Sequence, residues 1–582
     1  MTATDAPPAD RAAPPALRWG SDAIVAHLME AGIEHVAFNP GASFRGIHDS
    51  LVHTPGAPAI TLCMHEMVAV SIAQGYAKAA GRPMAALLHN VVGLQNASMA
   101  IYNAWCDRVP MLLIGGTGPK SKANRRPWID WIHTASVQAS IVRDFVKWDD
   151  EPHDMASVGE SFARALTTTR SLPSGPVYLC YDVDLQEDAL PAGYVHPSIG
   201  RYPVPSPPAP APADVAWLEQ RLRAARRPVI LAGYVGEAPE QFAALVALAE
   251  ALGAPVVDTG VRHAFPSGHP LSGAGVPGLL EEADVVLALD VEELQGPLGA
   301  RLEETGEDAL QLLNVTLAPL KLRAWAHDYQ PLAPAERQVT ASADLVVAAL
   351  LARLRAEPLP GELVAARTAA ASGRIAEARR AWAAAARDAT ADGAVPLERV
   401  IFELGRALAG ERFVLGGGTN GRLEQRQWAL DRPRQYAGWA SGGGLGYGVG
   451  GAIGVALAQE PGTITVDLQA DGDLLFLPSA LWTAAQRQLP VLIVVNNNRQ
   501  YGNTVEHAAR IGRRRGHGDA NRYVGAGLAE PPVDLAGLAR SFGVWADGPI
   551  SDPETLARRL RDAIAAVKRG QPALLDVLTP GF

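Results

Sequence analysis

Asp471-Gly472 closes the apolar run Ile464-Thr465-Val466-Asp467-Leu468, and a second run, Val491-Leu492-Ile493-Val494-Val495, closes on Asn496-Asn497-Asn498-Arg499-Gln500-Tyr501-Gly502. A carboxylate, an amide oxygen and a loop carbonyl are hard oxygen donors that suit Mg²⁺, and Mg²⁺ held by so few protein groups usually shares its shell with a phosphate. Two glycine-rich stretches fit such a ligand. Gly417-Gly418-Thr419-Asn420 follows the run Phe413-Val414-Leu415, where a loop entering a helix offers N–H groups to a phosphate and Thr419 and Asn420 add polar contacts. Ser441-Gly442-Gly443-Gly444-Leu445-Gly446 lets the backbone approach a ligand closely. Groups able to move protons lie elsewhere: Glu66 in Met64-His65-Glu66, His89 in Leu88-His89-Asn90, and His269 in Phe265-Pro266-Ser267-Gly268-His269-Pro270. Histidine titrates near neutral pH and can both give and take a proton.

The elements that must position these groups follow from the same pattern. Each apolar run is short, β-branched and turn-bounded, so each predicts a buried strand of a parallel sheet, with a crossover helix over Leu477–Gln488. Both motifs then sit beyond the carboxyl ends of neighbouring strands, where open α/β sheets bind ligands. The run Ala59–Cys63 predicts a further strand, leading into a helix that starts near Glu66.

With 582 residues, about three or four domains are expected. Residues 202–213, Tyr-Pro-Val-Pro-Ser-Pro-Pro-Ala-Pro-Ala-Pro-Ala, predict an extended linker, and the Ala/Arg-rich stretch Gly361–Asp392 predicts a surface helix with Ile375, Ala378 and Trp382 on one side. Strand-like runs alternate with helical patterns in each block, for example Pro228–Ala232 and Ala283–Leu289. The expected organisation is a disordered leader over 1–16 and α/β domains over 17–195, 214–355 and 393–582, each a mostly parallel sheet flanked by helices. A Pro-rich linker (196–213) and a helical linker (356–392) join them.

Apolar residues make up 48% of the chain, yet no apolar stretch reaches the ~18 residues of a membrane span. The leader lacks an apolar signal core, and Cys63, Cys106 and Cys180 are too few and too scattered for a disulfide framework or zinc site, so a cytoplasmic location is expected. A net charge of −10 argues against a nucleic-acid partner, and Arg510 with Arg513–Arg515 reads as a solvated loop.

Together the motifs resemble those of the thiamine-diphosphate-dependent decarboxylase and acetolactate synthase superfamily, over nearly the whole chain from about residue 18. The resemblance implies a pyrimidine-binding, a middle and a diphosphate-binding domain, in that order. It implies that Asp471, the Asn498 side chain and the Gln500 carbonyl hold Mg²⁺, and that Gly472, Tyr501 and Gly502 touch the diphosphate. Glu66 would stand against the aminopyrimidine ring and drive loss of the thiazolium C2 proton. The Gly443 carbonyl would accept from the pyrimidine amino group, and Leu445 would be the wedge that bends the cofactor. Ala470 departs from the family's usual Gly, and Asp473 from a small hydroxyl residue beside the phosphates; a carboxylate there repels a diphosphate unless it points away or meets a cation.

On the substrate side the resemblance narrows to benzoylformate decarboxylases, through Asn39-Pro40-Gly41, His89 and His269. Ala42 replaces the family's substrate-binding Ser and Ser43 follows it, so both are candidate substrate contacts. The implied activity is decarboxylation of a 2-oxo acid, with an aldehyde or second carbonyl as an acceptor if the acyl group is transferred. An acetolactate-synthase-like carboligase is the alternative, echoed by Pro40-Gly41-Ala42 and Ile47–Leu51. A non-catalytic cofactor-binding or regulatory subunit is the alternative from another class. FAD, bound by some synthases, is not indicated by residues 214–350. A homodimer or homotetramer is implied, with Glu66 and Asp471 of neighbouring subunits sharing a cofactor.

Overall fold

The computed structural model describes residues 17–306, 309–320, 325–326, 331–418, 422–438 and 440–581. The expected leader, and the candidate phosphate contacts Thr419 and Asn420, lie outside these residues. The chain separates into two compact units, one built from residues up to 73, 83–101 and 110–205, the other from 74–82, 102–109 and 206–582.

The first unit holds a six-stranded sheet made of β1 (His35–Phe38), β2 (Ala59–Leu62), β3 (Ala85–His89), β4 (Met111–Thr117), β5 (Asp149–Asp150) and β6 (Pro176–Asp182), in the order β2-β1-β3-β4-β6-β5. Every pairing is parallel. All seven residues of β4 are buried, as the centre of a sheet covered on both faces requires. Val36, Phe38, Leu87, Leu112, Ile114 and Leu179 pack on Ile24, Leu28 and Phe162 of the covering helices.

His27, on the helix Gly20–Glu30, is buried in this core. Its ring stacks on His196 with centroids 4.1 Å apart and on Phe162 at 5.4 Å, and neither ring nitrogen has a partner. Burial, then His196, push its pKa down to about 4 against a small opposing pull from Glu30. A depressed histidine pKa makes the protonated form costly only in the fold. Stability is therefore complete above the unfolded value near 6.5 and declines as pH falls towards 4, by about 3 kcal/mol at the limit. The melting temperature of a His27→Phe variant should change less between pH 7 and pH 5 than that of the parent; equal acid sensitivity would remove His27 from this role.

The second unit carries two further parallel sheets. One consists of β7 (Pro228–Ala232), β8 (Val256–Asp258), β9 (Val285–Leu289), β10 (Gln311–Val315) and β11 (Gln338–Val339), in the order β11-β10-β9-β7-β8. The other consists of β12 (Phe413–Gly417), β13 (Ile464–Ala470), β14 (Val491–Asn497), β15 (Trp545–Ile550) and β16 (Ala573–Leu578), in the order β12-β13-β14-β16-β15. The molecule is thus three parallel α/β sheets flanked by helices. Among the described residues no helix is long and apolar enough to cross a membrane.

Three local expectations need correction. The crossover between β13 and β14 is two short helices, Asp471–Phe476 and Ala480–Gln486, because Pro478 cannot donate an N–H and restricts the residue before it. The proline-rich stretch does not stay extended to 213: Pro212 opens the helix Pro212–Ala224, at a position where a missing N–H costs nothing. The helix Gly361–Asp388 is not simply a surface helix. Ile375 and Ala371 belong to the core of the neighbouring sheet, and the buried Arg367 guanidinium donates to the carbonyls of Leu222, Arg223, Ala225 and Leu252, which end two other helices. A cation at those carbonyls opposes the negative helix ends and fastens the long helix in place.

Candidate active site

In the second unit β13 and β14 are parallel neighbours in register from Thr465 with Val491 to Ala470 with Asn496, so the residues just beyond them emerge side by side. Asp471 begins the helix that follows β13 and is 3% exposed. Its Oδ1 accepts the Gly472 N–H at 2.9 Å, whereas Oδ2 is buried without a partner. Burial raises its pKa to about 6, against the pull of N–H groups of Gly472 and Arg499. A buried carboxylate oxygen with an unused lone pair is expensive unless a cation meets it. Asn498 Oδ1 accepts the Gln500 N–H at 3.1 Å, curling the loop beyond β14, and Asn497 pins that loop by donating to Asp576 Oδ1 on β16 at 2.8 Å. The Tyr501 ring lies against Gly472, where an added Cβ would come within 2.7 Å of it. The donor set thus fits a small hard cation held by Asp471, Asn498 and the Gln500 segment, beside a Gly472-Tyr501-Gly502 surface.

Asp473 points into the protein. One carboxylate oxygen accepts the Gly446 N–H and the other accepts from Gln469 Nε2 at 2.7 Å. The charge that should repel a diphosphate is therefore spent on tying the helix after β13 to the glycine-rich turn. In that turn Gly443 has φ +68° and Gly446 φ +90°, a region that favours glycine, and Leu445 between them is 40% exposed. An apolar side chain held out on such a turn suits contact with a ligand.

The first unit brings together the other proton-handling groups. Glu66 is the first residue of the helix Glu66–Ala80 and is buried; Asn96 Nδ2 donates to its Oε2 at 3.2 Å. Gly93 packs closely beside it, and a Cβ there would lie 2.8 Å from Glu66 Oε1 and displace the carboxylate. His65 does not touch this carboxylate: its Nδ1 accepts the Met67 N–H at 3.1 Å and caps the helix start.

His89 ends β3, and Ser43 packs on it. Ser43 Oγ lies 2.9 Å from His89 Nδ1, and the Ser43 N–H also points at that nitrogen, at 3.4 Å. A backbone N–H can only donate, so Nδ1 is the acceptor and the ring proton sits on Nε2. Burial, followed by the nearby His133, lowers the His89 pKa and so favours the neutral ring. Gly41 touches the same ring so closely that a Cβ would fall 2.1 Å from it. Ser43 is buried while Ala42 is exposed, so of the two candidate substrate contacts one serves the histidine and the other faces outward.

His269 is placed differently. Its Nδ1 accepts the Leu271 N–H at 3.1 Å, its Nε2 lies 3.3 Å from Glu250, and its ring packs edge-on to Phe265. One nitrogen serves its own loop and the other faces Glu250 on the helix Pro239–Leu252, both within the middle sheet's surroundings, the ordinary state of a structural histidine. Spacing alone could not have distinguished His269 from His89, since the partners that separate them are far away in sequence.

Three models of one family match the chain in sequence order. Residues 18–141 match the N-terminal TPP binding domain of thiamine pyrophosphate enzymes, 215–322 the central domain and 416–577 the C-terminal TPP binding domain. The chain belongs to the thiamine pyrophosphate enzyme family. In this thiamine pyrophosphate enzyme Glu66 and His89 fall in the N-terminal match, His269 in the central one, and Gly443, Leu445, Asp471 and Asn498 in the C-terminal one.

The chain is 28% identical to a benzoylformate decarboxylase of Pseudomonas aeruginosa over 95% of its own length and 97% of the relative's. It is 26% identical to a probable chloroplastic acetolactate synthase of Oryza sativa, over 98% and 84%. Two solved structures share the fold. One is a thiamine diphosphate-dependent 4-hydroxybenzoylformate decarboxylase of Rhodococcus jostii, with TM-score 0.74, 22% identity and coverage of 97% and 99% of the two chains. The other is a benzoylformate decarboxylase of Polynucleobacter necessarius, with TM-score 0.76, 19% identity and the same coverage.

Proposed function

We propose that this enzyme is a thiamine-diphosphate- and Mg²⁺-dependent lyase that decarboxylates a 2-oxo acid to an aldehyde. The observation that carries the reading is His89 at the end of β3 with its Nδ1 engaged by Ser43, because that leaves Nε2 as the ring nitrogen free to exchange a proton with a substrate near neutral pH. The benzoylformate decarboxylase relative, matched over almost its whole length, supports the same choice. When bound, the cofactor supplies the electron sink that makes loss of CO₂ feasible.

On this reading the protein's own residues divide the work as follows. Asp471 and Asn498 would hold the cation, Tyr501 and the glycines of 472 and 502 would border the phosphates, and the Gly443 carbonyl and Leu445 side chain would fix the organic part. Glu66, oriented by Asn96, takes and returns a proton at the aminopyrimidine. His269 is left out of the proton steps, since its nitrogens are engaged. The reading carries the dimer that the family resemblance implies, Glu66 of one subunit serving the Asp471 site of another.

Purified protein with thiamine diphosphate and Mg²⁺ should release CO₂ and an aldehyde from an aryl 2-oxo acid in a panel of 2-oxo acids; no CO₂ and no ligation product from any of them would falsify the proposal. A second reading, an acetolactate-synthase-like carboligase, is favoured by the exposed Ala42 in place of a serine and by the synthase relatives. A five-carbon hydroxy keto acid from pyruvate would decide for it.

A further inference from the structure

Within the glycine-rich turn that presents Gly443 and Leu445, the Gly443 N–H donates to the Ala440 carbonyl at 3.0 Å. The turn is also clamped from the side by the end of another helix. Asn103, 1% exposed on the helix Asn90–Cys106, donates from Nδ2 to the Gly444 carbonyl at 3.2 Å and accepts the Gly444 N–H on Oδ1 at 3.1 Å. One side-chain amide thus satisfies both backbone groups of a single residue. Gly442 lies flat on the same side chain, since a Cβ there would be 2.5 Å from Asn103 Oδ1.

One turn further on, Asp107 Oδ1 accepts the Ser441 N–H at 3.0 Å. The other oxygen of Asp107 is held by Gln74 Nε2 and by Lys78 Nζ, each at 2.5 Å, in an ion pair whose side chains are both fully buried. The turn is therefore gripped at 441 and at 444, on either side of Gly443. Among the described residues no donor meets the Gly443 carbonyl, which is left directed by the grip rather than used by it.

We infer that Asn103 is a positioning residue that sets the Gly443 carbonyl and the Leu445 side chain at the height required by the aminopyrimidine ring. The inference rests on the proposed cofactor site. Only a primary amide can do this, because the Gly444 N–H needs an acceptor and the Gly444 carbonyl a donor within one planar group. Alanine removes both partners. Aspartate keeps the acceptor but turns an oxygen towards the carbonyl.

The test is calorimetric titration of the cofactor-stripped full chain with thiamine diphosphate and, separately, with inorganic diphosphate, each with Mg²⁺. Asn103→Ala should weaken thiamine diphosphate binding about tenfold, the loss of one or two hydrogen bonds, while leaving inorganic diphosphate unchanged. Asn103→Asp should fall between it and the parent. Backbone amides of residues 441–446 should exchange with deuterium faster in Asn103→Ala without cofactor. Equal weakening of both ligands would show a general structural defect and overturn the inference, as would unchanged thiamine diphosphate binding. Failure of the parent protein to bind thiamine diphosphate would instead remove the cofactor site itself, and the inference with it.

Discussion

Glu66→Gln is expected to lower kcat by about a hundredfold to ten-thousandfold, the usual worth of a positioned acid–base group, while thiamine diphosphate affinity stays within a few-fold of the parent. The substitution is close to isosteric. This matters here because Gly93 leaves the carboxylate little spare room and Asn96 approaches the Oε2 oxygen. Glutamine keeps an oxygen for the Asn96 amide but cannot shuttle a proton at the aminopyrimidine. Steady-state CO₂ release gives the rate, and deuterium exchange at C2 of the bound cofactor, followed by NMR after acid quench, isolates the proton step. Turnover within a factor of three of the parent would dismiss Glu66 from that step.

Asp471→Asn should produce the second large effect, with an opposite sign in the two states of the protein. Mg²⁺ and thiamine diphosphate at 100 times their dissociation constant stabilise the parent by about 2.7 kcal/mol. The variant, lacking the charge, should show no such gain. Without ligands the variant should be more stable than the parent near neutral pH. The raised pKa of Asp471 means that its ionised form is disfavoured in the fold, by about 3 kcal/mol at the limit, and that the penalty is relieved as pH falls through 6. Melting curves with and without ligands at pH 7 and pH 5 read both arms. A variant that is weaker without ligands and still stabilised by them would reassign Asp471 to a purely structural part.

Much of this was legible from residue types. Runs such as Val491–Val495 and Phe413–Leu415 carry β-branched or apolar side chains at successive positions, which only a strand buried on both faces accommodates, and they form β14 and β12 of a parallel sheet. Glu66 falls at a helix start because the strand before it ends in a turn.

What could not be read was long-range pairing. Ser43 and His89 are 46 positions apart, and Asn103 and Gly444 are 341 apart, so nothing local signals either hydrogen bond. The inward turn of Asp473 depends on Gln469 and Gly446, and its sequence neighbours suggested only a charge beside a phosphate. The broken crossover has its local signal in Pro478, which separates the helices Asp471–Phe476 and Ala480–Gln486.

Under the proposed function, the neighbours Ala42 and Ser43 divide recognition from chemistry at one peptide bond. Ser43 is walled in by Gly116 and the His89 ring, so its volume and hydroxyl are fixed. Ala42 is exposed, and on the same reading a larger or polar side chain there would alter what the first loop accepts without moving the proton-bearing ring. Substrate range in descendants of this chain, natural or designed, can therefore drift through residue 42 alone while the reaction type stays put.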